Sequence, residues 1–347
     1  MNTSNLLSKE SKNIIKNFSS FSQKKKIQEI KKNSDLFQFV DKKFWKNNSI
    51  VYNAVKKNGY LLQFADDKLK DDINIVNVAI QDYGLAIQFA SDKLKDNKEL
   101  ALKAIKTSGY VLKYLSDRLK KDEDIVLSSL KMNAYSLQYA DSKFKKDKIF
   151  LKKIFKFHLG GAAFEHIDDT LKNNKEITLC ALKTYGYSYR ELGKNNKLRN
   201  DKDVINTAVK QISHALEYFD AKFRNNKNIV LCAVKQNGYS LKFASQNLRK
   251  QKKFIIRCVK LNGYSLLYAS TNLKNDYEVV SEAVKNYPLA LEYAGSKIKS
   301  NRKIVLSAVA RDPFSIQFAS KNLIKDKTIL LTAVKKNDYI LKYLNNF

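Results

Sequence analysis

The stretch from Ala54 to Val78 reads AVKKNGYLLQFADDKLKDDINIVNV, and from Ala79 the chain continues AIQDYGLAIQFASDKLKDNKELALK. The pattern starts again at Ala104, Ser129, Ala208, Ala233, Cys258, Ala283, Ala308 and Ala333. Degenerate copies begin near Lys153 and Ala181, and a weaker one precedes the rest from Glu29. A fixed period of this length marks a stacked repeat architecture, in which each unit leans on its neighbours.

Numbering the unit from its first Ala separates packing positions from turn positions. Positions 22, 23, 1 and 2, such as Ile75, Val76, Ala79 and Ile80, are apolar at spacings that share one helical stripe. Position 19 is Asp or Asn in most copies, for example Asp72, Asn97, Asp122 and Asp276, and reads as an N-cap. Position 6 is Gly59, Gly84, Gly109, Gly186, Gly238 or Gly263, and takes the only two prolines at Pro288 and Pro313. That exchange predicts a tight turn and a helix start there. Beyond it, positions 9, 12 and 16 (Leu62, Ala65, Leu69) form an i, i+3, i+7 face, and position 11 is aromatic, as at Phe64 and Phe243. Positions 9 and 11 are therefore expected to be buried. The unit reads as two short helices, and the chain as an all-α, right-handed-type α-solenoid of about thirteen such repeats.

The register predicts a lead-in or cap over 1–28 and an array over 29–347. An irregular joint falls at 153–207, where the starts are no longer 25 residues apart. All three histidines, His158, His166 and His214, lie in or just beyond the joint. Their spacing matches no metal-ligand pattern. Cys180, Cys232 and Cys258 fall beside the packing seam without a C-x-x-C pair, and read as small core residues in a reducing cytosol. No apolar run approaches the roughly eighteen residues of a membrane span, and residues 1–20 lack the pattern of a secretory signal. A cytoplasmic location is expected.

The recurring string N-G-Y-x-L-x-[FY]-A-[SD]-x-x-L-[KR]-x-[DN], followed by an apolar stretch and A-V-K, resembles the tandem repeat catalogued as domain of unknown function 4116. The resemblance covers 29–347 and implies helical units in arrays. Its motif positions are packing and turn residues, so it implies no catalytic or binding residue.

Lys and Arg number 65 against 34 Asp and Glu, giving a net charge of +31. Nearly all of the excess is Lys, which is also what an AT-rich coding sequence produces without selection for binding. One unit, 233–257, carries seven cations and no acid. Its Arg249, Lys250, Lys252, Lys253 and Arg257 are the candidate site for an anionic partner. Position 10 varies in charge and polarity beside a repeating frame, as Gln63, Gln88, Lys113, Gln138, Glu217, Lys242, Glu292 and Gln317. These are candidates for a variable interaction ridge. A non-enzymatic scaffold for another protein, with an acidic surface as one form of partner, is the first expectation. The alternative is RNA binding, from the charge and from aromatics at position 7 such as Tyr60, Tyr110, Tyr239 and Tyr264. No phosphate loop, nucleophile elbow or carboxylate pair is present, so neither an enzyme nor a cofactor is expected.

Overall fold

The computed structural model describes residues 8–344. Among them there are no strands, and the repeat is a triplet of helical segments. In the first full copy these are a six-residue 3-10 helix (Gly59–Phe64), a single α-turn (Asp67–Lys70) and a ten-residue α-helix (Ile73–Asp82). The expected pair of helices is thus corrected in its first member. Position 12 is extended in place of helical, with Ala65 at φ −63°, ψ 152°, and position 13 then caps a new turn through Asp66, whose carboxylate accepts the Lys68 N–H. A spacing of three fits the 3-10 period as well as an α-helical face, and the Ser or Asp recurring at position 13 is itself a capping signal.

The long helix is the packing element, and thirteen stand among the described residues. Each predicted Asp or Asn at position 19 is its N-cap: the Asp72 carboxylate, for instance, accepts the N–H groups of Asn74 and Ile75. Ile75, Val76, Ala79 and Ile80 are buried, as are their counterparts Val279, Val280, Ala283 and Val284. From the 3-10 helix, position 9 joins them (Leu62, Leu112, Leu241, Leu291). So does position 8 (Leu61, Val111, Ser240, Ser265), which lies off the expected i, i+3, i+7 face. Position 11 is the second correction: Phe64, Phe89, Tyr114, Phe243, Tyr268 and their counterparts are half-buried. Positions 6 and 9, three apart, share the core face of the 3-10 helix, and position 11, its last residue, lies at the rim. Tyr343, at the same position in the last copy, lies outside the described side chains.

The prolines stand where the turn requires. Pro288 opens the 3-10 helix Pro288–Tyr293, and Pro313 opens Pro313–Phe318. The glycines at this position need closeness and not positive φ, since no glycine has a positive φ. A Cβ on Gly263 would come within 2.5 Å of the Ala283 carbonyl oxygen in the next repeat.

The chain divides into two compact units, at Met1–Lys172 and Asn173–Phe347. In the first, a helix over Lys9–Asn17 leads to Phe18, which is buried edge-on against Phe44 at 5.2 Å. Lys25 and Lys26 lie over Phe21 and Phe44, 4.1 and 4.8 Å from the ring centres. In the second unit, Arg199 pins the irregular stretch. It donates to the carbonyls of Leu192 (3.0 Å) and Tyr218 (2.7 Å), pairs with Asp220 (3.0 Å), and sits over the ring of Tyr189. Tyr189 is fully buried, and burial pushes its phenol up to about 12.

Candidate functional site

Two bonding patterns cross from one repeat to the next and fix the surface on which any site must stand. In the first, the cation that opens a long helix reaches the cap of the following one. Lys98 pairs with Asp122 and Asp124 at 2.8 and 2.9 Å. Lys175 pairs with Asp201 and Asp203 at 2.8 and 2.6 Å, Lys252 with Asp276 and Glu278 at 2.9 and 3.0 Å, and Arg302 with Asp326 at 2.9 Å. In the second, a polar side chain at position 4 accepts the position-6 N–H of the preceding repeat: Gly59 to Asp82 at 2.8 Å, Gly186 to Gln211 at 2.7 Å, Gly263 to Asn286 at 2.7 Å.

The expected basic cluster is spread over this frame. Arg249 and Lys250 end the single α-turn Gln246–Lys250, while Lys252 and Lys253 open the helix Lys252–Leu261 behind Gln251, which makes no capping bond. Lys252 is held by its two carboxylates, and Lys250 and Lys253 are exposed. Arg257 lines a shallow groove between long helices, with Lys235 and Lys260 around Leu231, Cys232 and Leu261. A groove in the same register lies in the first unit, where Leu102, Ile105 and Met132 are rimmed by Lys103, Lys106 and Lys131. The cysteine expectation holds for one residue of three. Cys258 is buried, and burial pushes its thiol up to about 12, whereas Cys180 and Cys232 are half-exposed.

The ridge side chains all stand fifth in their 3-10 helices. Lys113, Gln138, Glu217, Lys242 and Glu292 are exposed, and Gln63, Gln88 and Gln317 half-exposed. Some of these residues have local work. Gln88, Gln138 and Gln317 donate to the carbonyls of Leu85, Tyr135 and Phe314 three residues back, at 3.1, 3.1 and 3.0 Å. Lys242 donates to the Tyr239 hydroxyl at 2.8 Å.

Beside the ridge, the position-7 ring of one repeat meets the position-11 ring of the next. The ring centres are 5.6 Å apart for Tyr60–Phe89, 5.2 Å for Tyr239–Tyr268 and 5.3 Å for Tyr264–Tyr293, all edge to face. His214 stacks flat on Tyr239 at 5.3 Å. This ladder was legible only as two separate aromatic positions; their meeting follows from repeat-to-repeat register. Burial, with Tyr264 and Tyr239 alongside, pushes the Tyr268 phenol up to about 12. Of the other histidines, His158 is exposed and His166 lies edge-on to Tyr135. Among the described residues no group of three or more His, Cys, Asp or Glu converges as a metal site would require.

Short helices, capped at fixed positions and bonded to their neighbours in register, define a tandem helical-repeat protein. The chain belongs to the family described as domain of unknown function (DUF4116), whose model matches at 30–70, 47–95, 72–120, 97–145, 122–159, 147–199, 201–249, 252–299 and 301–346. No curated protein and no solved structure matches it. No helix among the described residues is long and apolar enough to cross a membrane.

Proposed function

We propose that the chain is a non-enzymatic scaffold that binds a partner protein along the edge formed by its 3-10 helices. The observation that carries this reading is the position-10 ridge. Its side chains stand at one place in a repeating frame, at least half-exposed, and change from Gln to Lys to Glu along the chain. A frame that repeats while its projecting side chains vary suits a partner with an irregular surface. The aromatic ladder supports protein over RNA, because its rings already pack edge to face on one another. Base stacking needs open ring faces.

A photo-crosslinking residue placed at Glu217, Glu292 or Gln317, all in the second unit, should capture one and the same protein whether or not nuclease is added. Placed at Lys210 or Lys285, on the long helices, it should not. Equal capture from both faces, or capture of nucleic acid alone, would overturn the reading.

A further inference from the structure

Position 17 lies at or next to the end of the single α-turn of the repeat and is basic almost throughout. In the first unit four of the five such lysines are neutralised three residues back, and the fifth, Lys145, follows Ser142. Lys70 pairs with Asp67 at 3.5 Å, Lys95 with Asp92 at 3.3 Å, Lys120 with Asp117 at 3.6 Å and Lys172 with Asp169 at 2.9 Å. In the second unit the cation stays and the acid goes. Arg224, Arg249, Lys274 and Lys299 stand three residues after Ala221, Gln246, Thr271 and Ser296. Among the described residues none of the four has a carboxylate within ion-pair distance, and the Nε atoms of Arg224 and Arg249 are buried without a hydrogen-bond partner.

The four are alike in setting. All are half-buried. Their carbonyls accept the N–H groups of Ser245, Ser270, Gly295 and Ser320 at 2.9, 3.1, 2.8 and 2.8 Å, which locks each to the following repeat. Burial lowers the Lys274 pKa, as it does for a cation partly stripped of water. Desolvating a charge without a partner is unfavourable, and an anion brought from outside would relieve it.

We propose that Arg224, Arg249, Lys274 and Lys299 form a strip that takes the carboxylates of an extended acidic segment of a partner protein. The proposal rests on the scaffold reading and assigns its ridge a ligand. Equivalent lysines in the first unit locate the strip: Lys145 donates to the carbonyl of ridge residue Gln138 at 2.8 Å, and Lys172 to that of Glu165 at 3.2 Å. Packed helices lie about 8–10 Å apart. A polyproline II segment rises about 3.1 Å per residue and returns to the same face every third residue, about 9 Å on. Acidic residues three apart would therefore meet successive cations. In the same repeats the ridge carries Glu217 and Glu292, each seven residues before a strip cation, Arg224 and Lys299. Those fixed carboxylates oppose a backbone charged at every nucleotide, whereas a peptide can place its acids between them.

The test uses the full chain and a fluorescein-labelled peptide of four Glu-Pro-Pro triplets, with the Gln-Pro-Pro peptide and a short oligouridine as comparisons. The acidic peptide should bind, and each of Arg224→Gln, Arg249→Gln, Lys274→Gln and Lys299→Gln should weaken it about three- to fivefold. Lys70→Gln, Lys95→Gln and Lys120→Gln should leave it unchanged. Lys274→Glu should weaken the acidic peptide further and favour a Lys-Pro-Pro peptide, an outcome no unfolded variant would give. No binding by the intact chain, equal loss from the first-unit variants, or tighter binding of oligouridine would overturn the strip. Ridge crosslinking can succeed when the strip fails, and the strip can bind peptide when crosslinking finds no protein, so the two failures are distinguishable.

Discussion

The backbone N–H of Gly263 donates to the Asn286 side-chain oxygen at 2.7 Å, while the Asn286 amide donates to the Lys260 carbonyl at 3.1 Å. One side chain thus closes the turn of the preceding repeat from both sides. The prolines are compatible with this pairing. Pro288 and Pro313 have no N–H to donate, and position 4 of their following repeats is Arg311 and Lys336, which cannot accept one.

Gly263→Ala should be costly for a steric reason, since its Cβ would lie 2.5 Å from the Ala283 carbonyl oxygen and 2.7 Å from the Tyr287 Cβ. A loss of about 1–3 kcal/mol is expected, as for overpacking a tight core. Urea unfolding of the full chain measures it, with Gly193→Ala as the control because nothing lies within 4 Å of its Cβ. Equal midpoints for the two variants would show that the backbone yields at Gly263.

Leu241 and Phe243 test which residues carry the core. Leu241 is fully buried and Phe243 half-buried. Leu241→Ala should lose about 2–5 kcal/mol, and Phe243→Ala less, although it removes the larger side chain. Thermal melts rank them. The reverse order would restore the aromatic position to the centre of the packing.

The comparison shows what the sequence can carry in a repeat. Caps are local, so Asp72 and Asn97 were legible as helix starts from their residue type alone. The stripe Ile75, Val76, Ala79 and Ile80 was legible because one helix face has one periodicity. The single α-turn was missed because Leu62 and Ala65 are three apart in either helix type, and the break at Ala65 depends on a cap at Asp66. The candidate cluster was read by counting charge. Lys252 belongs to Asp276 and Glu278 through a bond that spans repeats, and linear charge counting has no access to it. The unpaired column has a linear signal: Asp at position 14 in most first-unit repeats, with Ser142 the exception, against Ala221, Gln246, Thr271 and Ser296 in the second. It becomes meaningful only once the ion pairs of the first unit are seen.

The inter-repeat clamp makes an acid-limb prediction. Burial alone would raise the Asp276 carboxyl, but Lys252 at 2.9 Å and the Val279 N–H outweigh it and hold the pKa below the ordinary carboxylate range. A carboxylate depressed in the folded state adds stability above its unfolded pKa of about 4, and loses it as pH falls through the folded value. Asp122, Asp201 and Asp326 are lowered in the same way. Asp276→Asn keeps a competent cap and removes the charge. Its melting temperature should fall less steeply than that of the unaltered chain below about pH 5. Parallel acid limbs would mean that the Lys252 bridge contributes nothing in solution.

The three thiols give a chemical reading of the same register. Cys258 occupies position 1, against the neighbouring helix, and burial pushes its thiol up to about 12. Cys232 lies one position earlier in its own repeat and lines the groove with Leu231 and Leu261. One step along a helix turns a side chain by about 100°, enough to move a residue from the seam to the outer surface. An aromatic disulfide reagent should therefore modify Cys180 and Cys232 in the folded chain and reach Cys258 only after denaturant is added, because the thiolate is the reacting species. Peptide mapping of the modified sites at both stages checks this. If Cys258 reacted as early as Cys232, position 1 would not face the seam, and the repeat-to-repeat packing would have to be rebuilt around a different stripe.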